Sequence, residues 1–172
     1  PNVTEKEVMR LARAMSLKNA LAGIPFGGAK AGIVWNGGTF ERKKAVMQEF
    51  ARQIKIFTPR KYIAGPDVNT GEKEMAQFVE ATGNWRSATG KPSNLCMMSF
   101  GKKGEKCGLP HEFGSTGFGV AISTKKTLEI LGININGARV SIHGFGNVGT
   151  FAYEFLTKMG AVIVAIADKD GA

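Results

Sequence analysis

Lys18 and Lys30 stand twelve residues apart, the second closing the run Pro25-Phe26-Gly27-Gly28-Ala29-Lys30. Glycines without side chains let a small ligand come close to the backbone. A lysine delivered there can meet a carboxylate or a carbonyl. A second cation or a low-dielectric wall beside such a lysine makes its proton easier to lose, so that it can act as a base or activate water. Taken alone, a Gly-Gly-Ala-Lys turn reads first as a surface turn ending in a solvated lysine, because most lysines are exposed.

A second glycine cluster reads Gly144-Phe145-Gly146-Asn147-Val148-Gly149. It follows an apolar strand pattern, opens a helical one, and is followed 24 residues after its first glycine by Asp168. That context fits a dinucleotide site. The glycines permit a tight turn and close approach of pyrophosphate, and the helix N-terminus offers unpaired N–H donors. Asp168 would accept hydrogen bonds from the adenosine ribose hydroxyls. His143, just before the turn on a strand expected to be buried, reads as a core histidine with one backbone partner.

The elements that must position these groups follow from the pattern of apolar residues. Thr4-Glu5-Lys6-Glu7 has the form of a capping box, and Val8, Leu11, Ala12, Met15 and Ala22 continue it as a helix over about 5–22. Residues 31–35 read as a strand, 40–57 as an amphipathic helix stopped by Thr58-Pro59, and 62–64 as a short strand. Asn69, with Glu72 three residues on, is expected to cap a helix through Thr82. Residues 84–114 hold five glycines, two prolines and four lysines with no steady period, so they read as a long connection. Ser115 then caps a helix ending near Gly132, followed by strand 139–143, helix 148–159 and strand 162–167.

Composition narrows the classes. The 172 residues suffice for one domain or parts of two, and 43% apolar content with 11 phenylalanines supplies a core. No stretch is long enough to span a membrane, and no secretory signal pattern opens the chain, so a cytoplasmic protein is expected. Lys and Arg outnumber Asp and Glu 23 to 14, for a net charge of +9. The basic residues are dispersed, without a run or an aromatic-interleaved motif, which argues for anionic substrates and cofactors rather than nucleic acid. Cys96, Cys107 and His111 lack Cys-x-x-Cys spacing and a fourth ligand, so free thiols and no metal are expected.

Four motifs together resemble the glutamate/leucine/phenylalanine/valine dehydrogenase family, and the glutamate dehydrogenases within it most closely. They are the run Met15 to Gly32, Gly65-Pro66-Asp67-Val68-Asn69-Thr70, Ser115-Thr116-Gly117-Phe118-Gly119, and the turn Gly144 to Gly149. Their order and near-family spacing extend the resemblance over almost the whole chain. It implies an α/β fold: a partial substrate-binding and catalytic domain over 1–113, then the start of a Rossmann-type NAD(P)-binding domain over 114–172. The residue matching Lys18 holds the substrate α-carboxylate in this family, with Gly65 and Pro66 also at the substrate. The match to Lys30 is the catalytic lysine, and the match to Asp67 moves protons at the amino nitrogen. Thr116 approaches the nicotinamide amide, while Gly144, Phe145, Gly146, Asn147, Val148, Gly149 and Asp168 take the rest of the cofactor.

The implied reaction is reversible oxidative deamination of L-glutamate to 2-oxoglutarate and ammonia with NAD or NADP, Asp168 favouring NAD, in a homo-oligomer that is typically hexameric. A dehydrogenase for leucine, valine or phenylalanine is the near alternative, and a non-catalytic nucleotide-binding homologue is the alternative of another class. Two departures stand out. Where the family carries Gly-Gly-Ser and then an arginine, this chain has Ser99-Phe100-Gly101-Lys102-Lys103-Gly104, and Glu112 stands in the arginine's place. The family is also more than twice this long, so the chain is expected to be a fragment.

Overall fold

The structure, a computed structural model, describes residues 3–95 and 113–171. Two units separate in the chain, residues 1–110 and 111–172. Cys96, Cys107, His111, Glu112 and most of the expected 84–114 connection lie outside the described residues.

In the first unit, helix α1 (Glu5–Leu21) begins where Thr4 accepts the Glu7 N–H at 3.2 Å. It fully buries none of its residues; Val8, Ala12 and Met15 form a half-buried stripe. The glycine turn folds back onto this stripe. Gly28 donates its N–H to Ser16 Oγ at 2.9 Å, and Asn19 Nδ2 donates to the Gly27 carbonyl at 2.8 Å. A Cβ on Gly28 would come within 2.0 Å of the Ala12 carbonyl oxygen, so only glycine allows this approach.

Residues 31–35 do not form the expected strand. A strand exists by its ladder, and these residues find no ladder partner among the described residues. Helix α2 (Phe40–Ile54) is capped by Thr39 and tightens into a 3₁₀ turn over Lys55–Phe57. The expected strand at 62–64 reduces to one parallel bridge, Ala64 with Ala88. Helix α3 (Glu72–Thr82) is capped by Gly71, not Asn69, and Glu74 accepts the Gly71 N–H at 2.8 Å. Asn69 cannot cap from where it stands: its φ of 60° places it in a left-handed turn, whereas a capping residue is extended. Met47 and Ala51 of α2 meet Met75, Phe78 and Val79 of α3 in the core, with Ala64, Ala88 and Leu95 closing it.

In the second unit, α4 (Ser115–Ile130) has Gly114 as its N-cap at φ 74°, which leaves Ser115 as the first helical residue rather than the cap. Strand β1 (Arg139–His143), helix α5 (Asn147–Lys158) and strand β2 (Val162–Ala167) then form a β-α-β unit with parallel strands. Its register pairs Arg139 with Val162 and His143 with Ala167. Ala121 of α4 and Ala152 and Leu156 of α5 bury together with Ile135 and Ala161. Gly117 makes that contact close, since a Cβ there would lie 2.8 Å from the Val148 carbonyl oxygen and 2.5 Å from Phe151 Cβ.

His143 is exposed, against the expectation of a core histidine. A parallel strand is buried only when layers cover both its faces. Among the described residues the sheet has two strands, and β1 alternates between exposed and half-buried residues.

Candidate active site

Lys30 and Asp67 are brought together in the first unit: the Lys30 ammonium donates to Asp67 Oδ2. Lys30 arrives on the turn that Ser16 and Asn19 hold against α1. Asp67 arrives on a second turn, closed where Thr70 Oγ accepts the Asp67 N–H at 2.7 Å and the Thr70 N–H returns to the Asp67 carbonyl at 2.9 Å. The other carboxylate oxygen, Oδ1, accepts the Val68 N–H at 2.8 Å. Partial burial pushes the Asp67 carboxyl up, but the Lys30 and Val68 hydrogen bonds and the Lys30 charge outweigh it. The group is held below the usual carboxylate range. Both side chains stay reachable, at 23% exposed for Lys30 and 48% for Asp67, so a small molecule could touch either.

Lys18 is exposed on the last turn of α1 and forms no ion pair with another described residue. Its neighbour Asn19 nevertheless ties that turn to Gly27, so Lys18 and the Lys30 turn share one support. Gly65 and Pro66 lead directly into Asp67. Behind Pro66 lies Gly90, at φ 61°, where a Cβ would come within 2.4 Å of the proline ring. A groove of about 300 Å³ opens beside Lys30, walled by Phe50, Ile54, Phe57, Lys61 and Tyr62. Burial pushes the Tyr62 hydroxyl pKa upward.

Ser16 and Asn19 hold the Lys30 turn, Gly90 backs Pro66, and Lys43 reaches Asn69 of the Asp67 turn and Glu74 of α3; none of the five is legible as a site residue in the sequence. Ser16 and Asn19 flank Lys18 in the motif, which was the available signal. The other three read as ordinary helix and loop residues.

The second unit assembles the glycine cluster. Gly144, at φ 101°, donates its N–H to the Ala167 carbonyl at 2.7 Å, which sets the turn beside Asp168. Gly149 is pressed against the same turn, and a Cβ there would lie 1.9 Å from the Gly144 carbonyl oxygen. Gly146 caps α5 without a side chain, leaving the first-turn N–H groups open to an anion. Asn147 Oδ1 is buried without a hydrogen-bond partner among the described residues, an acceptor that a bound donor would satisfy. Phe145 stands edge-on to Tyr153 at 6.0 Å. Thr116 is exposed on the first turn of α4, which Gly117 presses against Val148. Asp168 Oδ1 accepts the Asp170 N–H at 2.8 Å, and Lys169 pairs with Asp170. These residues fit a dinucleotide: a backbone cradle, an open helix end, an orphaned acceptor and a carboxylate at the next strand's end.

Among the described residues no cluster of three or more His, Cys, Asp or Glu could hold a metal ion, and no helix is long and apolar enough to cross a membrane.

Comparison with known proteins extends over both units. Residues 1–84 match the family described as Glu/Leu/Phe/Val dehydrogenase, dimerisation domain, and residues 108–172 match Glutamate/Leucine/Phenylalanine/Valine dehydrogenase. The NADP(+)-dependent glutamate dehydrogenase of Pyrobaculum calidifontis is 35% identical over 99% of this chain and 40% of its own length. The catabolic NAD-specific glutamate dehydrogenase of Bacillus subtilis is 32% identical over 99% of this chain and 40% of its own. Among solved structures, the hetero-hexameric glutamate dehydrogenase of Thermus thermophilus in its Leu-bound form superposes with a TM-score of 0.82 at 26% identity. It covers 97% of this chain, which corresponds to 40% of the Thermus chain. The chain thus spans about 40% of the length of the relatives it matches. Its α/β fold is that of the corresponding part of these enzymes, and the chain belongs to the glutamate/leucine/phenylalanine/valine dehydrogenase family.

Proposed function

We propose that the natural protein is an NAD(P)-dependent amino-acid dehydrogenase that deaminates L-glutamate reversibly to 2-oxoglutarate and ammonia. The observation that carries this reading is the contact between Lys30 and Asp67. Residues 1–113 serve as the substrate-binding and catalytic domain and 114–172 as the beginning of the NAD(P)-binding domain. The compact units divide close to that boundary, which supports the assignment.

Lys18 binds the α-carboxylate, with the Gly65-Pro66 backbone beside it. Nicotinamide, when bound, supplies the acceptor for the hydride from the substrate Cα. Lys30, whose proton has first passed to Asp67, deprotonates the water that attacks the resulting iminium carbon, and Asp67 delivers its own proton to the departing nitrogen. The direct contact of the two groups gives the proton a path without intervening solvent. Each turnover consumes one glutamate, one water and one oxidised cofactor, and releases 2-oxoglutarate, ammonium, reduced cofactor and a proton. Thr116, the turn Gly144–Gly149, Asn147 and Asp168 hold the cofactor.

The relatives include both NADP-dependent and NAD-specific enzymes. Asp168 favours NAD, because a carboxylate accepts from a ribose 2′-hydroxyl and repels a 2′-phosphate. The reading includes a homo-oligomer; its count of six is taken by analogy with the hetero-hexamer named for the Thermus enzyme. Exposed Met9, Leu17 and Leu21 on α1, within the stretch that matches a dimerisation domain, support assembly.

The test is a substrate panel on the natural protein, following cofactor reduction with glutamate, leucine, valine and phenylalanine in turn. Glutamate should give the highest kcat/KM. A preference for an apolar amino acid would move the protein to another branch of its family. Cofactor binding without turnover of any amino acid would mark a non-catalytic homologue.

A further inference from the structure

The turn that carries Asp67 is held by groups that never touch Lys30. Lys43, on α2, places its ammonium 2.8 Å from Glu74 Oε1 and 3.4 Å from Asn69 Oδ1. Glu74 uses its other oxygen to accept the Gly71 N–H at 2.8 Å. The two side chains are 26% and 10% exposed, so the pair is largely shielded from water. Asn69 and Thr70 belong to the Asp67 turn and Gly71 follows it, and Asn69 is held at positive φ. Thr70 completes the link, because its hydroxyl accepts the Asp67 N–H.

We propose that Lys43, Asn69 and Glu74 form a positioning set for Asp67, fixing the turn so that its carboxylate faces Lys30. This inference rests on the reading that Asp67 moves protons in the reaction. The set is not catalytic; it acts through the backbone of residues 69–71. A shielded ion pair is a weak source of net stability, since two charges must be desolvated to form it, and apolar replacements are often neutral. The directed role is the more economical explanation for placing a lysine of one helix on the first turn of the next, with a branch to Asn69.

The test uses the natural protein with Lys43→Met/Glu74→Gln, in which glutamine keeps an acceptor for Gly71 and neither charge is stranded. We expect its melting temperature to remain within a few degrees of wild type and kcat to fall about tenfold. KM for the amino acid should be unchanged, because Lys18 is untouched. A displacement of an ångström at reacting groups produces losses of this order or greater. Lys43→Arg, which preserves the pair, should keep kcat within about twofold. Asn69→Gly, which permits the positive φ and removes the side chain that Lys43 contacts, should lower kcat about threefold without loss of stability, and it reads the same effect if the double variant folds poorly.

A folded double variant with wild-type kcat overturns the proposal, as does a kcat loss that follows melting temperature and is absent in Asn69→Gly. Asp67→Asn, assayed in parallel, separates the two ideas. If it is inactive while the double variant is fully active, positioning fails and the role of Asp67 stands. If Asp67→Asn keeps wild-type kcat, the role of Asp67 fails and the positioning inference goes with it.

Discussion

Lys30 and Asp67 touch across 37 residues of sequence, each delivered by a turn anchored to a helix rather than by the helix itself. Ser16 and Asn19 of α1 hold one turn; Lys43 and Glu74 hold Asn69 of the other and Gly71 after it. Rigid helices thus set the distance between the two groups, and both side chains remain partly exposed.

Lys18→Ala should raise KM for the amino acid while lowering kcat far less. Lys18 is exposed and pairs with no other described charge; in the role proposed for it, its removal deletes a carboxylate partner that serves ground and transition states alike. Steady-state kinetics check this. A large kcat loss at unchanged KM would place Lys18 at the reacting atoms instead.

Gly149→Ala should destabilise the natural protein by about 1–3 kcal/mol, the range for forcing a methyl into filled space. The added carbon would lie 1.9 Å from a backbone oxygen of Gly144, which has no side-chain freedom with which to yield. Cofactor affinity should fall as well, because that oxygen belongs to the turn beside Asp168. Thermal melting and cofactor titration measure both effects; unchanged values would contradict this packing.

The acid side of the stability curve should carry the signature of Glu74. Burial pushes its carboxyl up from the ordinary 4.5, but the Lys43 and backbone hydrogen bonds and the Lys43 charge bring it below that value. A group with a depressed folded value contributes stability that is fully present above the unfolded value and is lost as pH falls through the folded one. The advantage of wild type over Glu74→Gln should therefore be constant above pH 4.5 and shrink below it. Melting both proteins from about pH 6 to about pH 3 tests this; a gap that is the same throughout contradicts it.

Much of the second unit was legible because its contacts are local. Strand, glycine turn and helix follow one another directly, and β1 and β2 occupy the residues that the apolar pattern marked. The misses have a common cause in non-local partners. Residues 31–35 have a strand's composition and no ladder among the described residues. Asn69 has a capping residue's chemistry, but its positive φ hands the cap to Gly71. His143 was expected in a core that the two strands among the described residues do not build around it. In the site, motif residues named Lys30 and Asp67, but nothing in a separation of 37 residues says that they touch. Lys43 and Glu74 look like solvated helix residues until two helices are packed.

Asp168→Ser should shift cofactor preference from NAD toward NADP. The carboxylate is exposed at the end of β2, and its Oδ1 accepts the Asp170 N–H, which fixes its direction. Lys169 is occupied by Asp170 and is not poised to offset that charge. Comparing kcat/KM for NAD and NADP in both proteins decides the matter. A wild-type preference for NADP, or a ratio unmoved by the substitution, sinks this assignment.

The most direct test of the catalytic pair is kcat for glutamate oxidation by the natural protein and its Lys30→Ala variant, at saturating cofactor and substrate. Wild type should turn over, and the variant should lose at least about a hundredfold in kcat, the scale of a missing general acid–base group. A variant that folds normally and keeps a near-normal kcat would show that Lys30 is only the neighbour of Asp67, and that the chemistry lies elsewhere.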